Sequence, residues 1–413
     1  MLAILTAVQT CHGIDRAIIG LVLEPVGHEF GLSDQERGFL AGFAYGIFFA
    51  IAAIPFGVAV DKYNRRTLMT LALTVWSGAT ALCGLGAGFW SLLLGRATVG
   101  IAEAGGSPTG MSLLSDYFEK QKRATAIGIW YISSGLGLSL AFFLGGWIIE
   151  HHGWRMAFVA AGVPGLLLAP ILFFTVREPK RGQADQDEEQ SSEPALPLAK
   201  RIGELFARPG LAYCILAIVM IATGIYGMSS WLTSFLIRSH GLAISQAGVI
   251  VAIAYGVLGS IGGLAAGWGA DWLNRRLGGF NPARTTLFGA LIPVATAFSG
   301  AAAVAVTDLN LCIALLFLCG FFSASYNGPI YAVIVTLAGP NLRGLAVSMV
   351  QFGANLIGVG VGAYFIGAVS QYIGTNDGVA WGIGVAMLFV LAGGGLLLMA
   401  AHKIQRHAAA VPA

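Results

Sequence analysis

The stretch that decides the fold is GVAVDKYNRR at residues 57–66, which recurs as GWGADWLNRR at residues 267–276. In each copy an apolar run gives way to a loop with one aspartate and two arginines. The copies lie 210 residues apart, and the same offset pairs Ala-Tyr-Gly at 44–46 with Ala-Tyr-Gly at 254–256. A constant offset without gaps predicts that the chain is a tandem duplication of one structural unit.

The composition predicts that this unit lies in a membrane. Of the 413 residues, 56% are hydrophobic and 10% are charged, whereas a soluble domain carries about 25% charged residues. A spanning helix needs about 20 mostly apolar residues. Twelve stretches qualify: 2–27, 38–60, 67–88, 90–116, 123–149, 155–176, 211–237, 245–270, 284–306, 309–338, 343–371 and 379–402. We therefore predict an all-α integral membrane protein with twelve transmembrane helices in two pseudo-symmetric six-helix bundles.

A polar segment separates the two sets of six stretches. Residues 177–210 contain an acidic cluster at 185–193 and four prolines, which is typical of a solvated linker. The predicted domains are an N-terminal bundle at 1–176, a cytoplasmic linker at 177–210 and a C-terminal bundle at 211–413.

The distribution of Lys and Arg predicts the orientation. Eighteen of the 23 lie in the linker, the C-terminal tail and the loops after stretches 2, 4, 8 and 10. The opposite loops hold only Arg37, Arg155 and Arg238, and Arg16 and Arg96 lie within stretches. By the positive-inside rule both termini are cytoplasmic, in a multi-pass protein of the inner membrane. A net charge of +3 is too small to indicate nucleic acid as a partner.

Four charged residues inside the stretches are the primary functional candidates: Asp15, Arg16, Arg96 and Glu103. A charge at the bilayer centre costs at least ~2.5 kcal/mol, so such residues indicate function by default. At 1.5 Å per residue, Arg16 and Glu103 lie at nearly the same depth, roughly 17–20 Å from the outer ends of their helices. Two carboxylates that share one guanidinium cannot both ionise cheaply, which favours a proton-coupling and substrate site. The alternative is a static ion pair that joins two helices.

Polar and aromatic residues in other stretches are candidates to line a cavity. They are Tyr45, Tyr226, Trp231, Asn327, Tyr331 and Asn355. A cavity charged on one wall and aromatic on the other suits a headgroup attached to a chain. The alternative is that these residues make ordinary helix contacts. His12 lies one turn from Arg16 and could tune it, and the alternative that we favour is a packed histidine.

The repeated loop motif G-x-x-x-D-x-x-x-R-R resembles the signature of the major facilitator superfamily, and Leu92-x-x-x-Arg96-x-x-x-Gly100 looks like its helix 4 motif. A narrower set is similar to the Spinster family: IDR at 14–16, GIAEA at 100–104, GWRMAF at 153–158 and REPKRG at 177–182. This resemblance implies a proton-coupled secondary transporter for an amphiphile of the sphingoid-base or lysophospholipid class. The anion:cation symporters, a neighbouring branch, share the Asp-Arg and Glu-Ala pairs and imply an organic-anion symporter instead.

The resemblance of the repeated loop motif to that of the major facilitator superfamily implies a latch at the cytoplasmic surface. Its residues would be Asp61, Arg65, Asp116, Asp271 and Arg275. Asp61 would cap helix 11 near Arg343, Arg65 would pair with Asp116, and Asp271 would lie near Arg123. The alternative is that these charges only set the topology.

Other classes of protein lack support in the sequence. It contains no H-E-x-x-H, no G-x-S-x-G and no Gly-rich phosphate loop, which argues against an enzyme and against a nucleotide-driven pump. We expect no cofactor and no metal site. The expected partners are a small amphiphilic substrate, protons and the lipid bilayer, and the expected state is a monomer.

Overall fold

The computed structural model describes residues 1–180 and 198–410. All regular structure in these two ranges is helical, with sixteen α-helices and two π-helical segments. The helices are α1 (Leu2–Phe30), α2 (Asp34–Ala41), α3 (Phe43–Lys62), α4 (Arg65–Cys83), α5 (Phe89–Glu103), α6 (Gly106–Tyr117), α7 (Lys120–Thr175), α8 (Leu198–Ala207), α9 (Leu211–His240), α10 (Ile244–Val251), α11 (Gly259–Arg276), α12 (Pro282–Ala305), α13 (Leu309–Ser323), α14 (Asn327–Gly353), α15 (Gly360–Ile373) and α16 (Gly378–Ala410). The π-helical segments are Ala252–Leu258 and Ala354–Val359.

These elements form twelve crossings. The first is α1, the second α2 with α3, the third α4, the fourth α5 with α6, and the fifth and sixth the two parts of α7. The seventh is α9, the eighth α10 to α11, the ninth α12, the tenth α13 with the start of α14, the eleventh the rest of α14 with α15, and the twelfth α16. The predicted all-α, twelve-helix architecture is confirmed.

Glycines divide the two helices that hold more than one crossing. Gly153 (φ 82°, ψ 164°) interrupts α7 between crossings five and six. Gly339 (φ 68°, ψ 174°) interrupts α14 between crossings ten and eleven. A positive φ is strained for residues with a Cβ, so each glycine lets the chain reverse without a longer loop.

Most of the helices are suited to a bilayer. Eight helical segments of the described chain are long and apolar enough to cross a membrane, and one of them contains both crossings of α7. The crossings outside this set are α1, α4 and α5 with α6, which carry Asp15, Arg16, Arg65, Arg96 and Glu103. Large apolar side chains such as Ile54, Leu71 and Phe174 are exposed, as expected for a lipid-facing surface.

Two seams of small residues join the halves, and the sequence repeat relates them. A Cβ on Gly38 in α2 would lie 2.6 Å from the carbonyl oxygen of Ala363 in α15. A Cβ on Gly248 in α10, 210 residues later, would lie 2.4 Å from the carbonyl oxygen of Phe142 in α7. Each seam therefore brings backbone against backbone, which only small residues permit.

The predicted linker at 177–210 falls between α7, which ends at Thr175, and α9, which begins at Leu211. Its residues 181–197 lie outside the described residues, while its end forms α8. We call the membrane face that carries the linker and both termini the linker side, and the opposite face the distal side.

Candidate functional site

A buried polar cluster lies midway along the first and fourth crossings. His12, Asp15 and Arg16 project from α1, and Arg96 and Glu103 from α5. Asp15 and Glu103 are fully buried, Arg96 and His12 nearly so, and Arg16 is partly exposed. The helix ends at Glu103 and restarts as α6 at Gly106, so Glu103 sits beside a break in the fourth crossing. The structure thus brings all four predicted charged residues into one region.

Glu103 is held by neutral and titratable partners. The Tyr45 hydroxyl donates a hydrogen bond to Glu103 Oε2 at 2.7 Å. His12 Nε2 lies 3.3 Å from the same oxygen, outside hydrogen-bond geometry. The other oxygen, Oε1, is buried without a hydrogen-bond partner in the described residues. His12 is buried and packs edge-on against Trp76, and its ring is also the nearest basic group to Glu103 among the described residues.

Asp15 is the more isolated acid. Neither of its carboxylate oxygens accepts a hydrogen bond within the described chain, although Thr80 and Trp76 of α4 lie close to it. Arg96 Nη1 donates to the backbone carbonyl of Asp15 at 3.3 Å, not to its side chain. The guanidinium of Arg96 also lies 5.3 Å from the centre of the Tyr45 ring.

Arg16 reaches across to the second half. Its Nη2 donates to Asn355 Oδ1 at 3.1 Å, and its guanidinium carbon lies 5.3 Å from the Tyr45 ring and 5.6 Å from the Tyr226 ring. The possible pair between Arg16 and Glu103 is not formed in this conformation. Asn355 follows Ala354 at the start of the second π-helical segment, so an irregular turn presents the acceptor of this cross-half bond.

The second half places aromatic side chains beside Arg16. All but one of its residues that were predicted to line a cavity lie in or near this region. Tyr226 is 40% exposed, and Tyr326 lies near both Tyr226 and Tyr331. Asn327 is partly buried, and its side-chain amide bonds to the Ala324 carbonyl. Trp231 was predicted to line the cavity, and this is wrong. Its ring is fully buried and its Nε1 donates to the Ala363 carbonyl at 2.8 Å, so it joins α9 to α15.

On the linker side, Arg65 holds part of the predicted latch. It pairs with Asp116, and its Nε donates to Glu178 Oε1 at 2.8 Å. Burial acts to raise the pKa of Glu178, but the hydrogen bonds from Arg65 and from the Arg66 backbone N–H outweigh it and hold that pKa below its usual range. Because Arg65, Asp116 and Glu178 all belong to the first half or its end, these contacts brace one bundle.

The remaining latch residues are apart. Asp61, Asp271, Arg275 and Arg343 are exposed, and none makes a hydrogen bond or ion pair with another described side chain. Because the side chains at 340–341 lie outside the described residues, the cap of helix 11 by Asp61 stays a prediction. The predicted neighbour of Asp271, the Arg123 side chain, lies outside the described residues.

The distal side carries a cross-half ion network that sequence reasoning missed. Arg238 of α9 binds both oxygens of Asp34 at 2.7 Å, and its Nε donates to Glu24 Oε1 at 2.8 Å. Arg37 Nη1 donates to Glu24 Oε2 at 3.2 Å. Ser370 of α15 donates to Asp34 Oδ2 at 2.6 Å. Arg238 and Ser370 come from the second half and the acids from the first, so the network closes the distal side.

A signal for this network existed in the sequence. Arg37, Arg155 and Arg238 are the only lysines or arginines in the predicted distal loops, and each has a carboxylate partner. Arg155 pairs with Glu29 at 2.7 Å, while Arg37 and Arg238 share Glu24. Cations that depart from the positive-inside pattern are thus paired here, and the distal network joins the two halves.

No group of three His, Cys, Asp or Glu side chains within the two described ranges is arranged to hold a metal ion. The five cysteines are free and buried.

Known proteins resemble this chain over nearly its whole length. The profile of the Major Facilitator Superfamily matches residues 5–362. A solved bacterial homologue of the human lysosomal transporter Spinster, inward-facing and unoccupied, superposes with a TM-score of 0.85 at 26% identity, over 98% of this chain and 97% of that one.

Sequence relatives name several kinds of transporter. An MFS-type efflux pump of Mycolicibacterium smegmatis is 27% identical over 394 residues, 94% of this chain and 88% of the relative. The D-galactonate transporter of Escherichia coli is 25% identical over 409 residues, 95% of this chain and 93% of the relative. The sphingosine-1-phosphate transporter SPNS2 of Mus musculus is 26% identical over 424 residues, 96% of this chain and 76% of the relative.

Proposed function

This chain belongs to the Major Facilitator Superfamily and is Spinster-like, and on that premise we propose that it is a proton-coupled secondary transporter that works by alternating access. Its solute in this proposal is an amphiphilic, lipid-like molecule of the sphingoid or lysophospholipid class. The observation that carries the proposal is the pair of fully buried acids, Asp15 and Glu103, each with at least one carboxylate oxygen that has no hydrogen-bond partner in the described chain.

Proton coupling follows from the cost of that burial. An ionised carboxylate taken out of water costs several kcal/mol unless a cation or hydrogen bonds compensate it. In this conformation neither Arg16 nor Arg96 is within ion-pair distance of either acid, and both bond to neutral groups instead. A bound proton removes the cost at Asp15, and its release would recruit a guanidinium. Proton binding and side-chain rearrangement are thereby linked.

Alternating access is supported by the asymmetry between the two faces. The distal network joins the halves, while Asp61, Asp271 and Arg275 stand apart on the linker side. These three would engage when the linker side closes and Arg238 releases Asp34. Arg65 and Asp116 are already paired in the open state, so they support the latch without forming its moving part. With the linker side in the cytoplasm, this conformation faces inward.

The charge of the site supports a solute with an acid group. Arg16 and Arg96 are both cationic, and neither is neutralised by a contacting carboxylate. Arg16 is partly exposed beside the exposed face of Tyr226, which would suit a phosphate or carboxylate next to an apolar chain. A lysophospholipid or a phosphorylated sphingoid base fits this wall better than an unphosphorylated base. The Spinster homologue and the sphingosine-1-phosphate transporter support the lipid class.

A second candidate is a proton-coupled organic-anion symporter. The relatives named for D-galactonate, galactarate or D-glucarate, gallate and hexuronate support it. It would use the same guanidinium of Arg16 and leave the aromatic wall to the body of a smaller solute.

Flux into proteoliposomes tests the function. Radiolabelled sphingosine-1-phosphate, lysophosphatidate and D-galactonate are offered with and without a pH gradient. Glu103→Gln and Asp15→Asn should lose gradient dependence while substrate exchange persists, and Asp377→Asn, an exposed acid in a distal loop, is the matched control. Gradient-driven uptake that survives in both site variants, at equal amounts of folded protein, would return these acids to a static role.

The setting proposed for this activity is the inner membrane, with a monomeric protein and both termini in the cytoplasm. We propose bundle boundaries at 1–176 and 211–413. Tags at residue 190 and at the C-terminus should be accessible from the same, cytoplasmic side.

A further inference from the structure

The His12 side chain lies against Glu103, and the proton coupling proposed above assigns it no role. The residue is 5% exposed, its Nε2 lies 3.3 Å from Glu103 Oε2, and its Nδ1 has no hydrogen-bond partner in the described chain. The edge of the ring faces Trp76 at 6.2 Å between centroids. An apolar packing role would not require an imidazole against a buried carboxylate.

We propose that His12 and Glu103 form a second proton-binding site beside Asp15, and that the proton on His12 decides whether Arg16 bridges the two halves. This inference rests on the proposed proton coupling. The protonated imidazole compensates Glu103, which leaves Arg16 free to donate to Asn355 of the second half, as observed. When the N–H proton leaves His12 Nε2 for a water molecule that enters from the linker side, Glu103 keeps its charge and loses its cation.

Arg16 is then the mobile cation best placed to replace it. It lies one turn from His12 on α1, it is partly exposed, and its guanidinium already packs on Tyr45, whose hydroxyl binds Glu103. A move of the guanidinium from Asn355 Oδ1 to Glu103 breaks one hydrogen bond between the halves. Loss of the proton therefore weakens the state that is closed on the distal side.

Among the described residues, the charged and titratable groups near His12 are Glu103 on α5, Asp15, Arg16 and Cys11 on α1, and Tyr45 on α3, which binds Glu103. Arg96 on α5 donates to the Asp15 carbonyl, one turn away. From α4 the ring meets the neutral Trp76, and from α7 this part of α1 meets Ser134, which accepts a hydrogen bond from Gln9. Histidine is the side chain that ordinarily changes charge between about pH 5 and 8, so a conformational step in that interval is expected to report this site.

The test needs no transported solute. Spin labels are attached at Ala87→Cys and Thr307→Cys, which are exposed in distal loops of different halves, while the five native cysteines are buried. Distances between the labels in nanodiscs report the distal-closed fraction from pH 5 to 8. In the unmodified site, the ratio of open to closed protein should rise at least about fivefold across this interval, an ordinary allosteric coupling.

His12→Asn should abolish that rise, with His12→Gln as a second variant and His402→Asn, an exposed histidine of α16, as the control. Histidine-selective NMR supplies an independent readout, since the signal missing in His12→Asn identifies the His12 ring. Asn355→Ala should keep the titration of that signal and lose the conformational step.

An unchanged step in folded His12→Asn and His12→Gln, or a His12 signal that does not titrate between pH 5 and 8, would overturn the inference. Flux without dependence on the pH gradient would instead contradict the proposed function, and the two failures are separate measurements.

Discussion

Arg238 should control the opening of the distal side, because it is the cation that the second half contributes to the distal network. It makes two charge-assisted hydrogen bonds to Asp34 and one to Glu24, with a side chain 17% exposed. Breaking a buried charge pair by removing one partner costs about 3–5 kcal/mol. With allowance for its partial exposure, we expect Arg238→Ala to destabilise the distal-closed state by about 2–3 kcal/mol.

That free energy corresponds to a roughly 30- to 150-fold rise in the ratio of distal-open to distal-closed protein. The variant should remain folded, because Glu24 keeps Arg37 as its partner. The Ala87–Thr307 spin-label pair measures the ratio directly. Arg155→Ala is the matched control, since Arg155 is also a distal arginine with a carboxylate partner, but its partner Glu29 lies in the same half.

A double-mutant cycle with Asp34→Ala sharpens the measurement. If the network holds the halves together, the two substitutions should be less than additive, since each removes the same contacts. An unchanged distance distribution in Arg238→Ala, or an equal shift in Arg155→Ala, would refute the reasoning.

Three further predictions use other parts of the molecule. Glu178→Gln should lower the melting temperature at neutral pH, because the pKa of Glu178 is depressed in the folded protein. The stabilisation that this carboxylate provides is present above its unfolded pKa of about 4.3 and is lost as pH falls through the lower folded pKa. The difference in melting temperature between the variant and the unmodified protein should therefore narrow below about pH 4, and a constant difference contradicts this. Gly248→Ala should destabilise the fold by about 1–3 kcal/mol, because the added Cβ overpacks the α10–α7 seam. Gly395→Ala in α16 is the control, since a Cβ there meets nothing within 4 Å. Equal denaturation midpoints in the two variants would show that close packing at the seam does not stabilise the fold. Asp61→Asn should leave the melting temperature unchanged, since Asp61 is exposed in this conformation, but it should slow closure of the linker side and transport. If flux and cysteine accessibility on the linker side are both unaltered, Asp61 has no role in closure and serves only to set the membrane topology.

The parts of the structure that follow from local pattern were predictable. Apolar runs of spanning length and the repeat at 57–66 and 267–276 gave the helices and the duplication. Helical rise placed Glu103 and Arg16 at one depth. The Arg65–Asp116 pair was predicted from the resemblance of the loop motif, and it lies where the third crossing begins and the fourth ends.

Contacts between the halves were harder to predict. Glu24 lies near the end of an apolar stretch, which is typical of a charge at the membrane surface. It is buried instead, because it pairs with Arg238 from a helix about 200 residues later in the chain. Trp231 was assigned to the cavity from its helix alone, and only the approach of α15 buries it. His12 lies beside Glu103 only because α5 packs against that side of α1. Residue type and spacing along one helix do not contain this information.

The division of charge in the distal network has a consequence for biogenesis. The first half contributes Glu24, Asp34 and Arg37, and so an excess negative charge, whereas the second half brings Arg238. During synthesis the acids are in place before Arg238 leaves the ribosome, and the late arginine completes the neutralisation. Two halves produced as separate polypeptides should therefore associate by a charge code that favours the mixed pair, because two copies of the same half would bring like charges together.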